Sequence, residues 1–211
     1  MKTDLIETEV LIIGTGIAGC TAALTLADAG VPVTVVTRAK APEDTNTYWA
    51  QGGIIYQGVD DSPQKLATDV LQAGAGHSYA PAVRILAEQG PAAVRRVLFE
   101  RVNVPFDHQE NGELSLALEG GHTLPRIIHA ADATGKAIQL ALLNALRGHP
   151  NIHLLTGYTA VDLLTPAHHS LNRLAIYTPH ACVGAYLFDR EQERVVRCLA
   201  KKTILATGGL G

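Results

Sequence analysis

An α/β fold with a central parallel sheet, helices on both faces and an added antiparallel β-meander is predicted by three features of the sequence. Val10 to Ile13 is an apolar, largely β-branched run that breaks into glycines at 14, 16 and 19 and then into helically spaced apolar residues from Ile17 to Ala29. Val33 to Thr37, reached across Gly30 and Pro32, is a second such run, so strand, helix and strand follow in the order of a right-handed βαβ unit. Strand-like runs then crowd the C-terminal part: Ile152–Leu155, Ala160–Leu164, Leu174–Tyr177, Cys182–Asp189, Val195–Leu199 and Lys202–Ala206, two of them joined by the charged turn Asp189 to Arg194.

The glycines give the first unit a chemical reading. Gly14 serves the turn, Gly16 lets backbone approach a pyrophosphate, and Gly19 lets helix and strand pack closely, with the phosphate charge on the helix N-terminus. A lone G-x-G-x-x-G is a weak signal, and the flanking strand and helix are what raise it. The ligand class is a dinucleotide, FAD or NAD(P), in a Rossmann-like domain. At the end of the second strand, where NAD-binding units carry an acidic residue for the ribose hydroxyls, this chain has Thr37-Arg38. Arg38 is read equally well as a solvated surface charge.

Composition narrows the alternatives. With 211 residues, 47% of them hydrophobic and 18% charged, the chain buries a real core and is globular. The net charge of −3, with no Lys/Arg run, gives no electrostatic footprint for nucleic acid or an anionic membrane. Cys20, Cys182 and Cys198 are odd in number and lack C-x-x-C spacing, which argues against a disulfide framework or a zinc site and for a reducing cytoplasm. No apolar run approaches the roughly 20 residues of a membrane span, and no signal core is visible.

Between the first unit and the C-terminal strands, Ala39 to Asp61 reads as a long ordered loop around Thr45 to Gly53 (TNTYWAQGG), which holds the single Trp of the chain. Ser62 caps a helix running to Ala75, with Pro63 at its first position and Leu66, Val70, Leu71 and Ala73 on one stripe. Tyr79 to Arg101 reads as one or two helices broken at Gly90-Pro91. Val104–Phe106 and Leu114–Leu118, joined by Asn111-Gly112, read as a hairpin leading into Glu119-Gly120-Gly121-His122. Asp132 to Lys136 precedes an amphipathic helix over Ala137–Leu146. Pro166 to Asn172 is a polar loop in which His168 and His169 are exposed spacers, with no further ligand spaced for a metal.

Gln51-Gly52-Gly53, Glu119 to His122 (EGGH), His129 to Gly135 (HAADATG) and Ala206 to Gly209 (ATGG), in order after the glycine turn, resemble one family. It is the flavoprotein family of succinate dehydrogenase, fumarate reductase and L-aspartate oxidase. The resemblance covers essentially the whole chain, and EGGH followed by HAADATG resembles the oxidase branch. It implies that residues 1–211 are the N-terminal part of a FAD-binding domain. Noncovalent FAD would be held by Gly14, Thr15, Gly16, Ile17, Ala18 and Gly19 at the pyrophosphate. Arg38 would lie at the ribose, and Asn46, Thr47, Tyr48, Trp49, Ala50, Gln51, Gly52 and Gly53 along the flavin. Thr159 and Ala160 would meet the adenine part, and Thr207 and Gly208 would return to the cofactor.

Succinate dehydrogenases carry a flavin-linking His where this chain has Asn46, so the flavin is expected to be dissociable. The resemblance further implies that Glu119 orients the amine of L-aspartate, a carboxylate there repelling succinate or fumarate and accepting hydrogen bonds from an ammonium. His122 and Arg126 would line the same region, and Asp132 and Thr134 would cap the following helix. The implied reaction is FAD-dependent oxidation of L-aspartate to iminoaspartate, the first step of NAD biosynthesis, with oxygen or fumarate as acceptor and quinolinate synthase consuming the product. Family members run to more than twice this length. The capping domain and the Arg and His residues that bind the substrate carboxylates would lie beyond Gly211, so the chain alone is expected to hold nucleotide without turnover. Three alternatives stand beside this reading: a fragment of a fumarate reductase or succinate dehydrogenase flavoprotein, a noncatalytic dinucleotide-binding module, and an NADP-dependent reductase using Arg38.

Overall fold

The parallel pairing predicted for the first two apolar runs forms the spine of a six-stranded sheet in the computed structural model, which describes residues 4–167 and 170–209. His168 and His169 lie outside the described residues. The chain divides into two compact units, one running from the N-terminus to Tyr48 and resuming at Leu142, the other spanning Trp49–Ala141.

In the first unit, β1 (Leu5–Ile13), α1 (Ile17–Asp28) and β2 (Val33–Thr37) form the βαβ element, and β1 pairs with β2 in parallel, Val10 opposite Val33 and Ile13 opposite Val36. The remaining strands are β6 (Ile152–Thr156), β7 (Tyr158–Leu163), β8 (Gly184–Asp189) and β9 (Arg194–Leu205), in the sheet order β6-β2-β1-β9-β8-β7. The first four of that order are mutually parallel, and β9, β8 and β7 form the antiparallel meander. The chain steps outward from β1 to β2 and β6 and then returns to the other side of β1. The carboxyl ends of β1 and β9 therefore mark a topological switch point, the position where open α/β sheets bind ligands.

Burial follows the alternation of the strands. Leu11, Ile13 and Val36 share a buried cluster with Ala185, Leu187, Cys198 and Ala200, with Leu155, Tyr158 and Ala160 packed at its edge. The meander and the parallel strands thus share one buried cluster. Val10, Ile12, Val33 and Val35 alternate to the opposite face and are also buried, as are Cys20, Ala23, Leu24 and Ala27 of α1. Burial pushes the Cys20 thiol up to about 12 and Cys198 up to about 11, so neither is a reactive thiolate.

Two expectations for this unit are corrected. Val195–Leu199 and Lys202–Ala206 are one strand, because β9 stays paired with β1 from Arg197 to Leu205 while its first half also pairs with β8. Leu174–Tyr177 is not a strand: residues Arg173–Tyr177 form a 3₁₀ turn, started by Asn172, whose Oδ1 accepts from the Leu174 N–H at 3.0 Å. Leu174 and Tyr177 are 66% and 80% exposed, so no neighbouring layer drives extension there.

The second unit contains a three-stranded antiparallel sheet in the order β3 (Ile54–Ile55), β5 (Ile127–Ile128), β4 (Leu116–Ala117). It also holds α3 (Pro63–Ala73), α4 (Ala80–Val94) and the start of α5 (Thr134–Arg147). A short α2 (Asn46–Trp49), not predicted, lies at the division between the units. The predicted break at Gly90-Pro91 does not occur. Helix α4 runs through Pro91 and widens into a π-helical turn, Arg95–Arg101, closed by the Val102 N–H to the Val97 carbonyl at 3.1 Å. Proline removes only one helical hydrogen bond, and the buried Val83, Ala87 and Leu98 hold the element together on both sides of it. The predicted hairpin is reduced to a bridge between His108 and Leu114 and the short β4, and Val104–Phe106 is irregular. Tyr56, Phe99 and Phe106 stack in a row at centroid distances of 5.3 and 4.9 Å.

Leu187→Ala, which empties the space between meander and sheet, is expected to cost about 2–5 kcal/mol, whereas Leu174→Ser on the exposed turn is expected to change stability by less than about 0.5 kcal/mol. Urea denaturation of the two variants beside the parent checks both.

Candidate functional site

The glycine turn of the first unit sits at the switch point. Gly14, at φ +118°, has no room for a side chain: a Cβ there would stand 2.1 Å from the Ala206 carbonyl oxygen. A Cβ on Gly19 would stand 2.0 Å from the Gly14 oxygen. The end of β1, the start of α1 and the end of β9 therefore meet backbone to backbone, with Ala206 N–H donating to the Ile13 carbonyl and Gly14 N–H to Val36. Thr207 and Gly208 leave this junction exposed, Gly208 at φ +74°.

Gly16 stands where a capping Ser or Asp would close α1, and no acidic residue occupies the first turn. A Cβ on Gly16 would meet only Thr47 Oγ1, at 3.3 Å. That hydroxyl also accepts from the Ile17 N–H at 3.0 Å, which ties Thr47 to the helix start beside Ala18. The buried Thr15 donates its hydroxyl to the Pro42 carbonyl at 2.9 Å, fixing the following loop, and accepts on its own carbonyl from the Cys20 thiol. A helix start with glycine backbone at its mouth and no acidic residue in its first turn fits a pyrophosphate. Arg38, exposed at the end of β2, shares its edge of the unit with β7: the Gly157 N–H donates to the Ala39 carbonyl and the Arg190 guanidinium to the Arg38 carbonyl. Thr159 and Ala160 pair with Phe188 and Leu187, and β7 is the outermost strand, so the other edge of its backbone has no strand partner.

In the second unit, Ala50, Gln51 and Gly52 are exposed, and the Ala50 carbonyl accepts from the Gly135 N–H at 3.0 Å. Gly53 is a close approach, because a Cβ would stand 2.1 Å from Ile127 Cγ2. Glu119 reaches this backbone: its Oε1 accepts from the Gly53 N–H at 3.4 Å. Glu119 is exposed, and among the described residues no cation pairs with it. Glu119 to His122 is a turn closed by the His122 N–H to the Glu119 carbonyl at 3.2 Å, with Gly121 at φ +85°.

Arg126 does not line a binding region as the resemblance implied. Its side chain is 0% exposed. Nε and Nη2 donate to the two oxygens of Asp61 at 2.8 and 2.9 Å, and Nη1 donates to Asp69 at 2.5 Å and to His122 Nδ1 at 2.9 Å. Asp69 also accepts from the Thr123 N–H and hydroxyl, and Asp61 from the N–H groups of Gly58 and Ser62. Burial works to raise both carboxyls. For Asp61 the Arg126 fork, and for Asp69 the Thr123 N–H followed by Arg126, outweigh it and hold both below the usual carboxylate range.

Neither aspartate was singled out in the sequence. The available signal was Asp69 itself, a carboxylate three residues after Leu66 on the apolar stripe of α3, where a charge requires a partner. Asp132 does not cap α5. Thr134 is the first residue of that helix, and its hydroxyl accepts from the Ala130 N–H at 3.0 Å, which ties the preceding turn to α5 without capping the helix. Asp107, bound by the Ala131 N–H and by His129 Nδ1, holds the turn before it.

A glycine turn at the switch point of a parallel sheet, open at the helix start and backed by an antiparallel meander, defines a dinucleotide-binding α/β protein. Residues 9–211 match the FAD binding domain family; the chain belongs to that family, and FAD is its cofactor. Its curated relatives include L-aspartate oxidases. The chain is 40% identical to that of Halobacterium salinarum, covering 99% of this chain and 39% of the relative. It is 39% identical to the chloroplastic L-aspartate oxidase 2-a of Nicotiana tabacum, covering 96% and 30%. It therefore spans about a third of the length of the relatives it matches. The Mycobacterium smegmatis Sdh1 complex superposes with a TM-score of 0.84 at 25% identity, covering 98% of this chain and 35% of that one. The E. coli quinol fumarate reductase shares the fold, with a TM-score of 0.84 at 21% identity over 98% and 33%.

Because Asp61 and Asp69 have depressed folded-state values, their stabilisation is fully present above the ordinary carboxylate pKa of about 4 and is lost as pH falls through the lower folded values. Asp69→Asn is expected to flatten this acid limb, and Asp69→Ala, which leaves Arg126 partly unpaired in the interior, to cost about 3–5 kcal/mol near neutral pH. Denaturant midpoints measured from neutral pH down to about pH 3 check the sign and the size.

Proposed function

We propose that this chain is the N-terminal part of the FAD-binding domain of an L-aspartate oxidase. FAD is held noncovalently, and L-aspartate is oxidised to iminoaspartate as the first step of NAD biosynthesis. The observation that carries the reading is Glu119, whose carboxylate lies on the Gly53 backbone with no cation paired to it among the described residues.

Gly14 to Gly19 offer the pyrophosphate a helix start with no side-chain cap from Gly16, and the exposed Arg38 and the half-buried Thr159 and Ala160 near the start of β7 offer contacts for the ribose and adenine. Asn46 to Gly53 offer the flavin a run of backbone whose final glycines leave no side chain in the way. Asn46 has an amide where a covalent attachment needs a nucleophilic imidazole, which supports a dissociable cofactor. FAD, when bound, supplies the two-electron acceptor for the Cα hydrogen. Glu119 accepts hydrogen bonds from the substrate ammonium, and the same charge disfavours an unaminated dicarboxylate. Oxygen or fumarate is the electron acceptor in this reading, and quinolinate synthase the consumer of the product. No helix among the described residues is long and apolar enough to cross a membrane, and the free Cys20, Cys182 and Cys198 support a reducing compartment, the cytoplasm.

Protein incubated with FAD and desalted is expected to keep flavin absorbance and to release it to the supernatant on acid precipitation; a colourless protein removes the cofactor site from these residues. In the flavin-loaded protein, L-aspartate is expected to perturb the flavin spectrum, and Glu119→Gln to raise the midpoint at least about tenfold, since a hydrogen bond to a charged group contributes roughly 1.5–3 kcal/mol. A succinate response equal to that of L-aspartate and indifferent to Glu119→Gln overturns the aspartate reading.

A further inference from the structure

We infer that Arg126 is a positioning residue that fixes His122 as the neutral Nε2–H tautomer, so that the Glu119–His122 turn presents one acceptor and one donor, matched to the ammonium and a carboxylate of an amino acid. This rests on the reading of that turn as a substrate contact.

The first step is hydrogen counting. A guanidinium has five N–H donors and no acceptor, and is not deprotonated in proteins. Arg126 uses four of its five: one from Nε and one from Nη2 to Asp61, and two from Nη1, to Asp69 and to His122 Nδ1. The contact at His122 therefore has one polarity only, and Nδ1 accepts. A neutral imidazole carries a single N–H, which must then be on Nε2, and an imidazolium has no lone pair for Arg126.

The second step is that the guanidinium cannot turn away. Asp61 on the segment before α3 and Asp69 within α3 grip it from two sides, and each carboxylate is itself fixed by N–H groups, of Gly58 and Ser62 for Asp61 and of Thr123 for Asp69. Rotating Arg126 toward solvent would leave two buried carboxylates unpaired, so the Nη1 hydrogen directed at His122 is set by the fold.

The third step is the turn itself. Glu119 and His122 are its first and last residues, joined by a backbone hydrogen bond of 3.2 Å, which keeps their Cα atoms within about 7 Å. Gly121 at φ +85° supplies the left-handed position that turn requires. The first residue of the turn thus carries an anionic acceptor and the last a neutral donor on Nε2, the pair of groups that an ammonium and a carboxylate in the same small molecule require. Arg126 itself offers no charge to the substrate.

Long-range proton–nitrogen correlation spectra of protein labelled with 15N-histidine test the inference, with His122→Gln assigning the signal among the nine histidines. At neutral pH, His122 Nδ1 is expected at a pyridine-type shift and Nε2 at a pyrrole-type shift. The reverse pattern, or an imidazolium, overturns the proposal without any need for an Arg126 variant. Arg126→Lys, which keeps the charge but loses the fork, is expected to move His122 toward a mixed-tautomer average; an unchanged signal in a folded variant overturns the role of Arg126. In the FAD-loaded protein, L-aspartate is expected to shift the Nε2 resonance and L-alaninamide, which lacks a carboxylate, to leave it in place. No shift with L-aspartate overturns the pairing with a carboxylate. An L-aspartate shift unaffected by Glu119→Gln leaves His122 as assigned and removes only the role given to Glu119.

Discussion

The absence of room for a single atom at Gly14 is the constraint on which the first unit depends. The end of β1, the start of α1 and the end of β9 converge there, and a methyl group at Gly14 or Gly19 would stand about 2 Å from a backbone oxygen. Because these segments touch through bare backbone, β9 can pair beside β1 from Arg197 to Leu205, up to the turn at which α1 leaves. The same geometry puts the start of α1 and the exposed Thr207-Gly208 at the carboxyl edge of the sheet, the end of the helix dipole that favours an anion. Fold and ligand site are two consequences of one steric condition.

The second unit is organised around a charge. Arg126 is fully buried, and its guanidinium joins the segment before α3, α3 itself and the turn carrying His122. A cation in that position would be costly alone; with a fork to Asp61 and a short bond to Asp69 it is a geometric anchor. Such an anchor fixes orientation better than apolar contact does, because hydrogen bonds to a planar guanidinium have direction. The Glu119–His122 turn, short and on the surface, takes its rigidity from what lies beneath it.

Membership of the FAD binding domain family and the likeness to L-aspartate oxidases agree with what both units offer: a phosphate-ready turn in one, and an exposed carboxylate on glycine backbone in the other. The likeness to succinate dehydrogenase and fumarate reductase structures is one of fold. The proposed assignment to the oxidase branch rests on local chemistry, an Asn at position 46 and a Glu at position 119.

Sequence by itself was enough for the βαβ unit, the glycine turn, the helix capped by Ser62 and the meander, because each is written in residues close together in the chain: period-two or helical spacing, a cap, a turn. Tertiary structure alone decided that β9 is continuous, since its pairing runs along two neighbours at once, and that α4 survives Pro91, since burial on both sides offsets one lost hydrogen bond. It also decided what Arg126 does. Its partners Asp61 and Asp69 lie 65 and 57 residues away, and a guanidinium in a sequence carries no mark of which carboxylates will reach it. Local spacing records the shape of one element; the choice of partner for a buried charge is made only when the elements pack.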